Sequence, residues 1–172
     1  MIKRLTMALM ACLLLAPLAL GGCGEKAASG EGFAIYLTGN DIPPSKMEMQ
    51  SHLEIADEPV ISLDDIVSYQ WDTHEIELTA EAFTRVIQMK IPVSGLSFVV
   101  CVDKGPVYWG AFWTPISSQS FGGVTIMTQS PFPGGDTVTL ELGYPSPGFY
   151  NGEDPRSNPE IRASLEQAGK LK

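Results

Sequence analysis

The side chains here whose types and spacing bear on chemistry are two histidines, three cysteines and one aromatic run. His74 stands in Trp71-Asp72-Thr73-His74-Glu75, an arrangement that suits an aspartate–histidine pair for general-base work or one corner of a metal site. The rest of such machinery is not in the sequence. A nucleophilic serine on a sharp turn would leave Gly-x-Ser-x-Gly, and a zinc site would leave His-x-x-x-His or Cys-x-x-Cys; none occurs. No loop of alternating aspartates suggests calcium, and no glycine loop has the spacing of a phosphate cradle. Neither a metal nor a cofactor is therefore expected. His74 reads as a turn histidine bonded locally, and Asp64 and Asp65 read as turn residues rather than a catalytic carboxylate pair.

The aromatic run Val107-Tyr108-Trp109-Gly110-Ala111-Phe112-Trp113 is the strongest local oddity. As a strand it sends Val107, Trp109, Ala111 and Trp113 one way and Tyr108, Gly110 and Phe112 the other. Rings on both faces mean either a strand sandwiched in a core or a strand that offers one face to a ligand. In the second case Thr114, Ser117, Ser118, Gln119 and Ser120 supply uncharged hydrogen bonds beside the rings, a mixture suited to peptide, glycan or small-molecule binding. The candidate binding residues are Tyr108, Trp109, Trp113, Thr114, Ser117 and Ser118.

Of the three cysteines, Cys101 lies in Ser97-Phe98-Val99-Val100-Cys101-Val102 and reads as a small core residue. The other two belong to the beginning of the chain. Met1-Ile2-Lys3-Arg4 precedes an apolar stretch from about Met7 to Leu20, and then come Gly21, Gly22 and Cys23. A basic start, a short apolar core and small residues ahead of a cut site make a secretory signal over 1–22. Leu20-Gly21-Gly22-Cys23 resembles the lipobox of bacterial lipoproteins. That resemblance implies a diacylglycerol thioether on Cys23, cleavage before it, and a protein held to the membrane on its extracytoplasmic side.

Removal of residues 1–22 takes Lys3 and Arg4 but no acid, leaving nine basic residues against twenty acidic ones, a balance of −11. So acidic a chain is poorly matched to nucleic acid or to anionic headgroups, and membrane attachment falls to the acyl chains. Only Cys101 would remain for pairing, so no disulfide is expected within the processed domain.

Residues 23–32 form the lipidated cysteine and a small, polar, flexible tether. A single α+β domain over 33–144 follows, and 145–172 reads as a Pro/Gly-rich loop with a C-terminal helix. Strands are expected at Phe33–Leu37, Asp65–Trp71, Glu75–Leu78, Leu96–Asp103, Val107–Trp113, Gly123–Met127 and Thr137–Leu142. Lys104-Gly105-Pro106 reads as a hairpin turn. Thr79 caps a helix with an apolar stripe of Ala80, Phe83 and Ile87 beside Ala82, Val86 and Met89, and Pro92 forbids its continuation. Asn158 caps the last helix, with Pro159 at its first position, Ile161 and Leu165 on its apolar face and Gly169 as its stop. The expected architecture is an antiparallel sheet with one packed helix, a strand-helix-strand-hairpin-strand core and a short C-terminal helix.

Asp64-Asp65-Ile66-Val67-Ser68-Tyr69, Glu75-Ile76-Glu77-Leu78-Thr79-Ala80-Glu81-Ala82, Phe98-Val99-Val100-Cys101-Val102-Asp103 and Val124-Thr125-Ile126 together resemble the first periplasmic head domain of the SecD protein-export subunit. The resemblance covers about residues 60–128. It implies a fold and contact with other polypeptides, and it carries over no catalytic or ligand residue. Ala82 stands where that family favours glycine, and the aromatic run 108–113 has no counterpart there.

The functional expectation is a lipid-anchored extracytoplasmic binding or interaction domain without catalysis of its own, with a protein or peptide partner and no nucleic acid. Its alternatives are an exported hydrolase using Asp72 and His74, and a structural envelope lipoprotein.

Overall fold

The structure is a computed structural model and describes residues 30–49, 52–128 and 135–172. Cys12, Cys23, the leader and most of the tether lie outside the described residues.

Alternation of apolar and polar side chains sets the strands, as in Glu75-Ile76-Glu77-Leu78, where the isoleucine and leucine are buried and the glutamates exposed. Among the described residues seven strands result: β1 (Phe33–Leu37), β2 (Ile66–Gln70), β3 (Glu75–Leu78), β4 (Leu96–Val102), β5 (Gly105–Trp113), β6 (Phe121–Met127) and β7 (Thr137–Tyr144). They form one sheet in the order β1-β4-β5-β6-β7-β3-β2. Helices α1 (Pro44–Met47), α2 (Ala80–Ile87) and α3 (Pro159–Gln167) complete an α+β architecture.

Five of the six pairings are antiparallel. The antiparallel sheet expected from the sequence is thus present, with one exception: β5 and β6 run parallel over Gly110–Trp113 and Val124–Met127. Parallel neighbours usually need a crossover of a dozen residues or more. Here only 114–120 separate the strands, and β6 begins pairing with β5 late, at Val124. That delay supplies the extra chain needed to turn back, and it leaves the first residues of β6 apart from β5.

The sheet curls until its end strands meet. Phe33 on β1 and Tyr69 on β2 touch edge to face, their centroids 6.0 Å apart. Helix α3 lies at this seam: Ser164 Oγ accepts from the Phe33 N–H at 2.8 Å, and Ile161 and Leu165 enter the same core as the sheet's inner face. The outer side of β2 pairs with the chain end, Tyr69 bridging Leu171, while Ile61 bridges Ile35 on the outer side of β1. Both sheet edges are thus covered, which removes the usual route to edge-to-edge association.

The helix ends follow their caps. Thr79 Oγ accepts from the Ala82 N–H, Asn158 Oδ1 accepts from the Glu160 N–H, and Gly169 closes α3 at φ +67°. On α2 the buried face is Ala82 and Val86, with Phe83 and Met89 packed beside them, whereas Ala80 and Ile87 are exposed. The expected stripe was therefore rotated, because these residues recur at helical spacing on a neighbouring face as well. The hairpin between β4 and β5 turns on Asp103 and Lys104, at φ 51° and 64°, one step before the expected turn. Gly105 and Pro106 already pair with Val102 and Cys101 as part of β5.

On the outer face of β1, β4 and β5 a second cluster gathers Ala34, Tyr36, Met47, Val99 and Cys101. Burial pushes the Cys101 thiol up to about 11, so it stays protonated and acts as a small apolar filler.

Candidate functional site

The site begins with a fault in strand β5. Val100 pairs with Tyr108 but Cys101 pairs with Pro106, so Val107 is an extra, bulged residue. The bulge turns Val107 toward the inner core beside Tyr108, not toward Trp109 as simple alternation predicts. Gly105–Trp109 then has β4 on one side and no β6 partner on the other. Phe121–Gly123 of β6 likewise lacks a β5 partner.

Where the two strands splay, a cleft of about 620 Å³ opens between them. Its β5 wall is Tyr108, Trp109 and Trp113; its β6 wall is Phe121, Gly122, Gly123 and Val124. One end is bordered by Pro44, Ser45 and Glu48 around α1, another by Tyr150, Asn151, Glu153 and Pro155 from the loop after β7. That volume lies in the range of small-ligand sites.

The rings on the outer face form one stack. Trp113 and Phe121 lie nearly parallel, 12° apart with centroids at 5.2 Å, and Trp109 tilts against Phe121 at 5.7 Å. Tyr144 leans on Trp113 from behind and donates its hydroxyl to the carbonyls of Pro115 and Ser117. Gly95, at φ +78°, makes room for this: a Cβ there would stand 2.2 Å from Trp113 Cζ3. Trp113 is buried at 2 % exposure, while Trp109 and Phe121 are partly exposed. The aromatic run therefore both packs and borders a cleft.

Of the six candidate binding residues, Tyr108, Trp109 and Trp113 line the cleft. Thr114 and Ser117 are buried beside it, and Ser118 is exposed without lining it. The Ser117 hydroxyl is used internally, donating to the Val93 carbonyl at 2.6 Å and accepting from the Gln119 N–H. Gln119 and Ser120, from the same hydroxyl-rich stretch, do line the cleft. Sequence reasoning missed Phe121 and the glycines after it. The readable signal was an aromatic followed directly by two residues without side chains, which marks a place where another group approaches the backbone.

Two lining residues carry buried donors with no hydrogen-bond partner among the described residues, the Tyr108 hydroxyl and Trp113 Nε1. Leaving such a group unpaired costs about 1–3 kcal/mol.

His74 stands elsewhere, on the hairpin between β2 and β3, at φ 55° and 6 % exposure. Its Nδ1 is 3.0 Å from the Tyr69 hydroxyl, and Tyr69 and Trp71 meet the imidazole edge to face. Asp72 beside it is exposed. Tyr69→Phe leaves Nδ1 without its buried partner and is expected to cost about 1–3 kcal/mol in urea unfolding.

Burial holds the His74 pKa below its ordinary value, the Arg156 charge adds to this, and Asp154 and Asp72 oppose it. The unfolded chain takes up the proton first, near pH 6.5, so the stabilisation is full above that pH and is lost as pH falls below it. His74→Gln should flatten the slope of stability between about pH 7 and 5. Asp154, held low by hydrogen bonds from Arg156, acts only in a more acid window and leaves that slope to the histidine.

Among the described residues no three acidic, histidine or cysteine side chains gather as metal ligands, and no helix is long and apolar enough to cross a membrane. No family model, no curated protein and no solved structure matches this chain.

Proposed function

We propose that this chain is a lipid-anchored extracytoplasmic binding domain without catalysis of its own, taking its ligand in the cleft between β5 and β6. The observation that carries the reading is the aromatic-walled cleft itself, built where two paired strands part. The signal and lipobox ahead of Cys23 support the anchoring. Of the SecD-like motifs over 60–128 only Val124 lines this cleft, so the polypeptide contact they imply concerns other faces of the domain. We rank binding above the Asp72/His74 hydrolase because the imidazole is buried and engaged by Tyr69 while Asp72 faces water.

Two measurements test it. Cys23→Ser should abolish acyl labelling and move the protein from the membrane to the soluble fraction. A photo-crosslinking side chain at Gln119 should capture a ligand in intact cells that the same group at Glu166, on α3, does not. Unchanged membrane retention, or equal capture at both positions, would sink the corresponding half of the reading.

A further inference from the structure

The geometry points to a neutral oligosaccharide as the occupant of the cleft, an inference that rests on the binding reading above. Among the described lining residues there are two carboxylates, Glu48 and Glu153, and no lysine, arginine or histidine. Anionic ligands therefore find no counter-charge. Both carboxylates are exposed, where an ion pair with a cationic ligand gains little. Affinity must come from the uncharged part of the site.

That part has two components. One is aromatic: Trp109 and Phe121 are partly exposed, and the negative face of an aromatic ring attracts the weakly positive C–H face of a sugar ring. The other is a border of short neutral hydrogen-bonding groups, Ser45, Ser94, Gln119, Ser120 and Asn151. These arise from four separate segments, so polar groups meet the ligand from several sides. A molecule with apolar faces and hydroxyls all round its edge fits such a site. Amides both donate and accept, and the rim carboxylates accept from hydroxyls. A peptide's apolar side chains would instead call for dry pockets.

The test uses the full chain purified in detergent. Tryptophan fluorescence is followed on titration with the neutral tetrasaccharides of glucose, galactose and N-acetylglucosamine. A neutral and acidic glycan array runs alongside, with the peptide acetyl-Lys-Val-Lys-Val-Lys-amide as comparison. The expected result is saturable quenching by a neutral glycan, weakened at least tenfold by Trp109→Ala and severalfold by Asn151→Ala, with circular dichroism unchanged in both. Acidic glycans should bind at least tenfold more weakly than neutral ones. Trp109-dependent binding of the peptide but of no neutral glycan overturns the sugar and leaves the cleft reading standing. Binding of neither, or binding indifferent to Trp109 and Asn151, overturns both.

Discussion

Gly110→Ala is expected to cost about 3 kcal/mol of unfolding free energy, the upper end of what overpacking usually does. Gly110 pairs with Phe98 on β4 and with Val124 on β6, in the middle of the sheet. A Cβ there would lie 2.4 Å from Phe98 Cζ and 2.5 Å from the Val124 carbonyl oxygen. The ring cannot retreat freely, because it packs edge to face on Phe112 at 5.2 Å. The carbonyl cannot retreat without breaking the parallel pairing of β5 and β6. Against a total stability of about 5–15 kcal/mol the loss is large, and it should lower the thermal midpoint by roughly ten degrees. Gly148→Ala is the control: its Cβ would meet only the Ser146 hydroxyl, at 3.7 Å, and its effect should stay within about 0.5 kcal/mol. An unfolding midpoint for Gly110→Ala equal to the parent's would mean that the parallel pairing is wrong.

Trp113→Ala is expected to be as severe, about 3–5 kcal/mol, because the ring is 2 % exposed and supports both Phe121 and Tyr144. Trp113→Phe separates the two roles of that ring. It keeps an aromatic face for Phe121 while deleting the buried Nε1 donor, which has no partner among the described residues. Removing an unpaired buried donor recovers part of what the lost volume costs, so the net change should be about 1 kcal/mol or less. Denaturant unfolding of the two variants decides it. A phenylalanine variant as unstable as the alanine variant would show that Nε1 is engaged after all.

The parts of the fold legible in the sequence are those decided by neighbours along the chain. Thr79, Asn158, Pro159 and Gly169 act on the backbone within a few residues, and each delimits its helix as expected. Alternation in Glu75–Leu78 reports burial directly, because strand side chains change face at every step. The parallel run of β6 along β5 is different in kind. Its residues would alternate the same way in either direction, and only the packing of distant segments sets the orientation. The same holds for the site. Trp109 and Trp113 announced themselves by type, but the cleft depends on the Val107 bulge and on the late pairing of β6 at Val124. Asn151 and Glu153 reach it from a loop some forty residues beyond β5, which no local pattern connects to the aromatic run.

Under the proposed lipid anchor, the place where the chain enters the sheet sets which end of the cleft lies nearer the membrane. Gly32 donates its N–H to the Asp103 carboxylate at 2.8 Å, and Glu31 sits 3.1 Å from Lys104 Nζ, so these two residues lie beside the β4–β5 hairpin tip. Trp113 lies eight residues farther up β5, about 26 Å away along the strand. With the proposed acyl group pulling on that tip, the α1 mouth of the cleft becomes the outward pole. A visitor diffusing in from beyond the envelope surface would then reach the tryptophans without first crossing the headgroup layer.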